Sequence, residues 1–228
     1  MLRKVARGTM VEFEELRSRL CPHMEWKNPP ADSIKLWSEG GCGVWVSDAW
    51  GPAVPYPPVD HRNGNFNHGY VRLKGNPGAV SRIPEVQGWP EFEGFLDGVN
   101  ADSTPVESVG CEKGFFPGDT EGAPPIKLGS YVDVIFTEAA LNDRPENHLL
   151  LASRLANAIE DCEKSWADVS FVLQRNKVLA GARTPWGLML QMKNYGRTEE
   201  EARKFWGATL SRLGKAIAGL PSDFRFAD

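Results

Sequence analysis

The chain has 228 residues, of which 41% are hydrophobic and 25% are charged, and its formal net charge is −4. This is the composition of an ordinary globular protein, and it excludes the collagen-like, coiled-coil and disordered classes. Because there is no run of basic residues, no nucleic-acid partner is expected. No window approaches about 20 apolar residues, so no membrane span is predicted. The four cysteines lie far apart, which is typical of reduced thiols in a soluble cytoplasmic protein.

The first part of the chain predicts an extension, two strands and a helix. Residues 1–9 are partly basic but have no apolar stretch behind them, so they indicate neither a signal peptide nor an anchor, and we expect a disordered extension. Short apolar runs predict strands over residues 44–47 and 68–73. Pro90 begins a helical pattern that continues to Val99.

Residues 40–129 are the loop-rich middle of the chain, because they hold 16 of the 23 glycines and 11 of the 17 prolines. Both residue types interrupt regular structure, so long ordered loops are predicted here. Loops of this length in a compact domain are often functional. We therefore expect any site to lie in this segment.

The second half of the chain predicts two successive groups of two strands and a helix. Apolar runs on either side of a Gly- and Pro-rich stretch predict antiparallel strands over residues 106–116 and 131–137. An apolar stripe after Pro145 predicts a helix over residues 145–164.

The last group repeats this order. Alternating or apolar runs predict strands over residues 167–175 and 186–194, joined by a hairpin loop over residues 181–186. Apolar residues at three- and four-residue steps predict a helix over residues 198–220. Thr198 at its start, followed three positions later by a glutamate, has the spacing of a capping box.

These elements predict one α+β domain over residues 1–228. Helices that return after strand pairs cover one face of a mostly antiparallel sheet, which gives a two-layer sandwich. The order of two strands and a helix occurs twice and would occur three times with the N-terminal elements. Repeated ββα units of the ferredoxin-like kind are therefore a hypothesis about the topology.

Residues 40–75 collect polar groups and aromatic rings, which are the usual lining of a pocket. Cys42 is flanked by glycines and has the open surroundings that a nucleophilic thiolate needs, and His61 or His68 would act as its base. Alternatively, Cys42 is a small buried hydrophobe, and the aromatic rings are core residues under a long loop.

The same stretch offers ligands for a divalent metal. Asp60, His61 and His68 would bind it from a loop and the strand after it, although their spacing matches no standard zinc arrangement. Residues 59–65 resemble the Asp-His core of HNH endonucleases, in which the histidine activates water and the acidic residue helps to hold the metal. The asparagine-containing continuation of that family is missing. Alternatively, Asp60 and the asparagines after it form turns.

Aromatic residues in loop-prone places favour recognition of a partner protein. Trp45, Trp50 and Tyr56 are the candidate contacts, and Arg183 in the predicted hairpin loop would bind a carboxylate or a phosphate. The chain contains no GxxxxGK[ST], no GxGxxG after a strand, no GxSxG, no HExxH and no calcium loop, so no nucleotide cofactor is expected.

Two functional hypotheses follow. The first is a non-catalytic, immunity-like or regulatory module, which binds a protein partner through an acidic, Trp-rich loop face. The alternative is a small hydrolase or lyase, with or without a metal, that uses Cys42, Asp60, His61 and His68.

Overall fold

A computed structural model of the chain describes residues 33–39, 41–60, 66–119, 121–159, 166–178 and 185–224. The predicted N-terminal extension lies outside the described residues, and so does most of the loop predicted after residue 180. No helix among the described residues is both long enough and apolar enough to cross a membrane.

Strands and helices alternate along the described chain. The strands are β1 (Ser33–Glu39), β2 (Cys42–Val54), β3 (Val59–Asp60), β4 (Phe66–Asn67), β5 (Val106–Pro117), β6 (Ile126–Phe136), β7 (Ala167–Val178) and β8 (Trp186–Gly196). The α-helices are α1 (Pro90–Val99), α2 (Pro145–Ala158) and α3 (Glu199–Ala218). Short 3-10 helices occupy Ala79–Arg82, Pro84–Val86 and Ala139–Asp143.

Six strands form one sheet in the order β1-β2-β7-β8-β6-β5. Neighbouring strands are antiparallel except β2 and β7, which run parallel. The short strands β3 and β4 pair only with each other. The sheet is therefore mostly antiparallel, as predicted.

The three helices pack against the sheet, and their contacts reach side chains of one face. On β6, where alternate residues share a face, Ser130 accepts a hydrogen bond of 2.7 Å from the indole Nε1 of Trp206 on α3. Phe136, on the same face of β6, has its ring centroid 4.9 Å from that of His148 on α2. The core between these layers contains fully buried residues of all three helices, among them Phe92, Leu96, Leu151, Leu155, Trp206 and Leu213.

The opposite face of the sheet carries a second set of buried residues. Trp45 and Val172, which pair across β2 and β7, are completely buried. Asp133 on β6 belongs to the same face, because it alternates with the helix-facing residues Val132 and Val134. The irregular chain that follows β2 covers this face where β5 and β6 lie. The candidate site is found between that chain and the sheet.

The strands and helices predicted in the second half of the chain are confirmed, but β6 begins five residues earlier than predicted and α2 ends at Ala158. The strand predicted over residues 68–73 is wrong, because that segment has no strand pairing. Gly69 has a left-handed φ of 88°, which interrupts an extended run. The strand predicted over residues 44–47 is part of the longer β2, and β1 was not predicted.

Candidate functional site

A cavity of about 770 Å³ opens above the β5 and β6 end of the second sheet face. Its floor includes Asp133 and Tyr131 of β6, and one wall is Tyr56 and Tyr70 from the chain that follows β2. The backbone N–H of Tyr70 donates to the carbonyl of Tyr56 at 2.9 Å, which joins the two ends of that wall. Cavities of this size usually hold small molecules or side chains of a partner.

Asp133 is the most unusual group in this cavity. The residue is only 4% exposed, and burial raises the pKa of its carboxyl to about 7. Oδ1 accepts a hydrogen bond of 2.7 Å from Nε2 of Gln174, which favours the ionised form and offsets a part of that rise. Within the described residues, Oδ2 has neither a hydrogen bond nor an ion pair, and the residue lines the cavity. A buried carboxyl in this state is available to a ligand.

Glycines make room for the polar side chains around Asp133. A Cβ at Gly110, the β5 residue paired with Asp133, would lie 3.0 Å from Oδ2. A Cβ at Gly187 on β8 would collide with the amide of Asn176, which is 1% exposed. Neither side-chain polar atom of Asn176 has a hydrogen-bond partner within the described residues. The second face thus holds a row of buried polar groups beside the cavity.

Three tyrosines line the cavity together with the Asp133 carboxyl. The rings of Tyr56 and Tyr70 meet edge to face with centroids 5.9 Å apart. Burial raises the pKa of both hydroxyls and of the Tyr131 hydroxyl, and Asp133 raises the pKa of Tyr56 and Tyr131 further. In the described part of the chain these three hydroxyls make no hydrogen bonds, so they can donate to or accept from a bound group.

Cys111 also lines the cavity, but its thiol is a poor nucleophile. Burial is the largest cause that raises its pKa to about 12, and the nearby carboxyls of Glu85 and Asp133 add to the effect. A thiol needs the thiolate form to attack. The cavity therefore suits binding or proton transfer through Asp133 better than attack by Cys111.

Three carboxyls and two cationic side chains line the cavity. Glu85 and Glu112 contribute carboxyls in addition to Asp133. Lys113 is a lining residue, but its Nζ lies 3.9 Å from the ring centroid of Trp89, where it makes a cation–π contact. Arg82 is an exposed lining residue.

A shallow groove of about 280 Å³ continues from the cavity along the open sheet face. Glu112 and Tyr131 line both the cavity and the groove. Phe116, which is 51% exposed, lines the far part of the groove, with Nζ of Lys127 5.5 Å from its ring centroid. An exposed aromatic ring is thus connected to a deep polar cavity.

The residues predicted as a Cys-His pair are described only in part. Cys42 begins β2 and is buried in the helix-facing core. His68 is exposed at the cavity rim, and His61 lies outside the described residues. The proposed catalytic pair of Cys42 and His61 stays a prediction.

The predicted metal ligands are placed only in part. Asp60 is exposed on β3 and His68 follows β4, whereas His61 between them is not described. The described residues contain no group of three or more His, Cys, Asp or Glu side chains that could hold a metal ion. The metal site at Asp60, His61 and His68 also stays a prediction.

The predicted binding residues have different surroundings. Tyr56 lines the cavity, whereas Trp45 is completely buried and has no surface to offer a partner in this structure. Trp50 belongs to β2, but its side chain is not described, and Arg183 lies outside the described residues. Of these four residues, Tyr56 is placed at the cavity.

The residue that sequence reasoning missed is Asp133. It stands in the run Tyr-Val-Asp-Val-Ile-Phe, where a single carboxyl interrupts an apolar strand. Acidic residues are almost never fully buried unless they are paired, so this interruption is a signal for a site. Cys111 and Glu112 of β5 line the same cavity, and Cys111 also packs against the hydrophobic core.

No known protein family, curated protein or solved structure matches the chain.

Proposed function

We propose that this protein is a non-catalytic binding protein that recognises a protein partner through the cavity and the adjoining groove. The main support for the proposal is that the groove lined by the exposed ring of Phe116 is continuous with the cavity that contains Asp133. Tyr131 lines both the groove and the cavity. Partner contacts of high energy combine aromatic anchors with pockets that exclude water. An immunity-like or regulatory role would use such a face.

This proposal is tested by capturing binding proteins and comparing their affinity for surface variants of the chain. Phe116→Ser and Tyr131→Ser remove ring surface from the groove and from the cavity floor. Trp166→Ser is the matched control, because Trp166 is 46% exposed but lines neither the cavity nor the groove. Proteins captured from an extract of the native host are identified, purified and titrated against each variant by calorimetry.

We expect one partner to bind the wild type and Trp166→Ser with equal affinity. We expect Phe116→Ser and Tyr131→Ser each to weaken binding by more than 1 kcal/mol, the usual size of a hot-spot effect. Equal binding by all four proteins would contradict the proposed face. Capture of no macromolecule, together with saturable binding of a small molecule, would contradict the proposed function.

A small hydrolase or lyase is a second candidate, favoured by a different observation. Burial raises the pKa of Asp133 to about 7, which is the range of a general acid or base that works near neutral pH. Tyr131 and Tyr56 would assist a proton transfer at the same cavity. Incubation with metabolite extract followed by mass spectrometry tests this candidate: a substrate consumed by the wild type and not by Asp133→Asn would support it over the binding function.

The chain order β5-β6-α2 and β7-β8-α3 supports the finer proposal that the fold contains repeated ββα units of the ferredoxin-like kind. The two hairpins meet through the antiparallel pair β6 and β8, which would relate the units by an approximate twofold axis. Comparison of the two units in an experimental structure would test it, and a poor superposition of their backbones would refute it.

A further inference from the structure

We propose that the cavity binds a cationic side chain of the partner protein, the ammonium of a lysine or the guanidinium of an arginine, with Asp133 as its counter-ion. This inference rests on the proposed function and names the chemistry of the group that enters the cavity.

Asp133 is positioned to accept one cation. Gln174 donates to Oδ1 at 2.7 Å and so fixes the carboxyl plane, whereas Oδ2 has no partner among the described residues. Gly110 leaves Oδ2 uncovered, because it has no side chain. A Cβ at this position would lie only 3.0 Å from Oδ2. Removing a carboxylate from water without a counter-charge is costly, and a cation that enters the cavity would offset that cost.

The other groups of the cavity favour the same charge. The carboxyls of Glu85 and Glu112 line it together with Asp133. The pKa of the Tyr56 hydroxyl is raised most by burial and next by Cys111, Asp133 and Glu85. Among the described residues, no cation lowers this pKa. The ammonium of Lys113 is held over Trp89, and Arg82 is exposed. Three carboxyls thus line the cavity with Tyr56, against the two cationic side chains Lys113 and Arg82.

The aromatic wall suits a cation with several N–H donors. Tyr56, Tyr70 and Tyr131 present ring faces or edges to the cavity, and a cation over a tyrosine ring is attracted by the ring quadrupole. Their hydroxyls accept no hydrogen bond within the described residues, so they provide acceptors beside the Asp133 carboxylate. An ammonium or guanidinium group needs this combination, because it carries three or five donors.

Five small probes test the inference on the full chain. Four are the methylamides of N-acetyl-lysine, N-acetyl-arginine, N-acetyl-norleucine and N-acetyl-glutamate, and the fifth is free cadaverine. Binding is followed by NMR of the ring signals of Tyr56 and Tyr131. The variants are Asp133→Asn, which keeps an acceptor for Gln174, and Glu85→Gln at the cavity wall. Glu121→Gln is the matched control, since it removes the same charge from an exposed residue outside the cavity.

We expect the lysine or arginine probe to shift these signals saturably and the norleucine and glutamate probes not to do so. Asp133→Asn should weaken binding of the cationic probe by about tenfold or more, because the cation loses its charged hydrogen-bond acceptor. Glu85→Gln should weaken binding of the cationic probe less than Asp133→Asn does. Glu121→Gln should bind the probe with the affinity of the wild type.

Three results would overturn the inference. Equal binding of norleucine and lysine probes would show that charge is not recognised, and no response to either cationic probe would show that the cavity takes another group. Tighter binding of free cadaverine than of the lysine probe would assign the cavity to a small amine. If Phe116→Ser still abolishes partner capture in any of these cases, the proposed function stands although the inference fails.

Discussion

Gln174 on β7 donates a hydrogen bond to Asp133 on β6, across the intervening strand β8. Gly187, the β8 residue paired with Gln174, has no side chain there. The bond holds one carboxyl oxygen within the sheet surface and leaves the other toward the cavity. The stability of the protein and the chemistry of its cavity therefore depend on the same buried carboxyl.

Asp133→Asn is expected to stabilise the protein at about pH 8 and to leave its stability unchanged below about pH 4. Burial raises the pKa of Asp133 from 3.8 to about 7, so the folded state keeps a proton that the unfolded chain has released. The free energy of unfolding of the wild type consequently falls as the pH rises from about 4 to about 7. The substitution should raise the free energy of unfolding at about pH 8 by on the order of 1–4 kcal/mol. This range follows from the pKa difference between the unfolded and folded states, since each pKa unit corresponds to about 1.4 kcal/mol.

Urea unfolding at several pH values measures this effect, and Glu121→Gln is the control for loss of one negative charge. The other titratable groups near the carboxyl are Tyr56, Tyr131, Cys111 and Glu85. Burial raises the pKa of the first three, so they do not ionise in this window. A loss of stability in Asp133→Asn at about pH 8 would contradict the prediction.

Gly187→Ala should destabilise the protein by roughly 1–3 kcal/mol, the usual cost of adding a methyl group to a filled interior. The new Cβ would collide with the Asn176 amide, and Asn176 is 1% exposed. Asn176→Ala removes the obstacle, so the glycine substitution should cost much less in that background. A double-mutant cycle of unfolding free energies measures the coupling, and strictly additive effects would argue against this contact.

His148→Leu should reduce the loss of stability in acid. Burial lowers the pKa of His148 from 6.5 to about 3, so between these values the unfolded chain binds a proton that the folded imidazole does not. Its contribution to stability is complete above about pH 6.5 and is lost as the pH falls toward 3. Asp133 acts with the opposite sign over part of this range, so each variant is compared with the wild type at the same pH.

His68→Leu serves as the control for His148→Leu, because His68 is exposed. Both variants remove one imidazole, so the comparison isolates the effect of the buried one. An unchanged acid slope in His148→Leu would show that another group causes the loss.

Cys111 should react slowly with iodoacetamide. Its thiol has a pKa of about 12, which leaves on the order of 10⁻⁴ of it ionised at about pH 8. Peptide mapping after timed alkylation measures the rate at this residue, and the urea-unfolded chain gives the reference rate. A folded-state rate close to the unfolded one would contradict the buried position of the thiol.

The second half of the fold was predictable because its signals are local. Thr198 is the N-cap of α3, and its hydroxyl accepts a hydrogen bond of 3.2 Å from the N–H of Glu201, as the spacing of the two residues predicted. The carboxylate of Glu201 accepts from the N–H of Arg197 and not from that of Thr198, so the capping box is formed in part. Period-two alternation likewise predicted β8.

The cavity was less predictable, since it depends on contacts between distant parts of the chain. The loop-rich middle contributes Tyr56 and His68 to the lining of the cavity. Asp133 was missed because a strand that is buried on both faces predicts apolar residues at every position, and only tertiary contact with Gln174 and Gly110 explains a carboxyl there. The neighbours of β2 were equally hidden, because strand order is not encoded locally.

The parallel pairing of β2 with β7 has a consequence for the order of assembly. Cys42 lies opposite Val169, so the sheet joins residues that are 127 positions apart in the sequence. Pairings of this sequence separation close late and slow the search for the native topology. During synthesis, one edge of the β1 and β2 hairpin has no partner strand until β7 has been synthesised. In this period the nascent chain is most exposed to incorrect strand pairing.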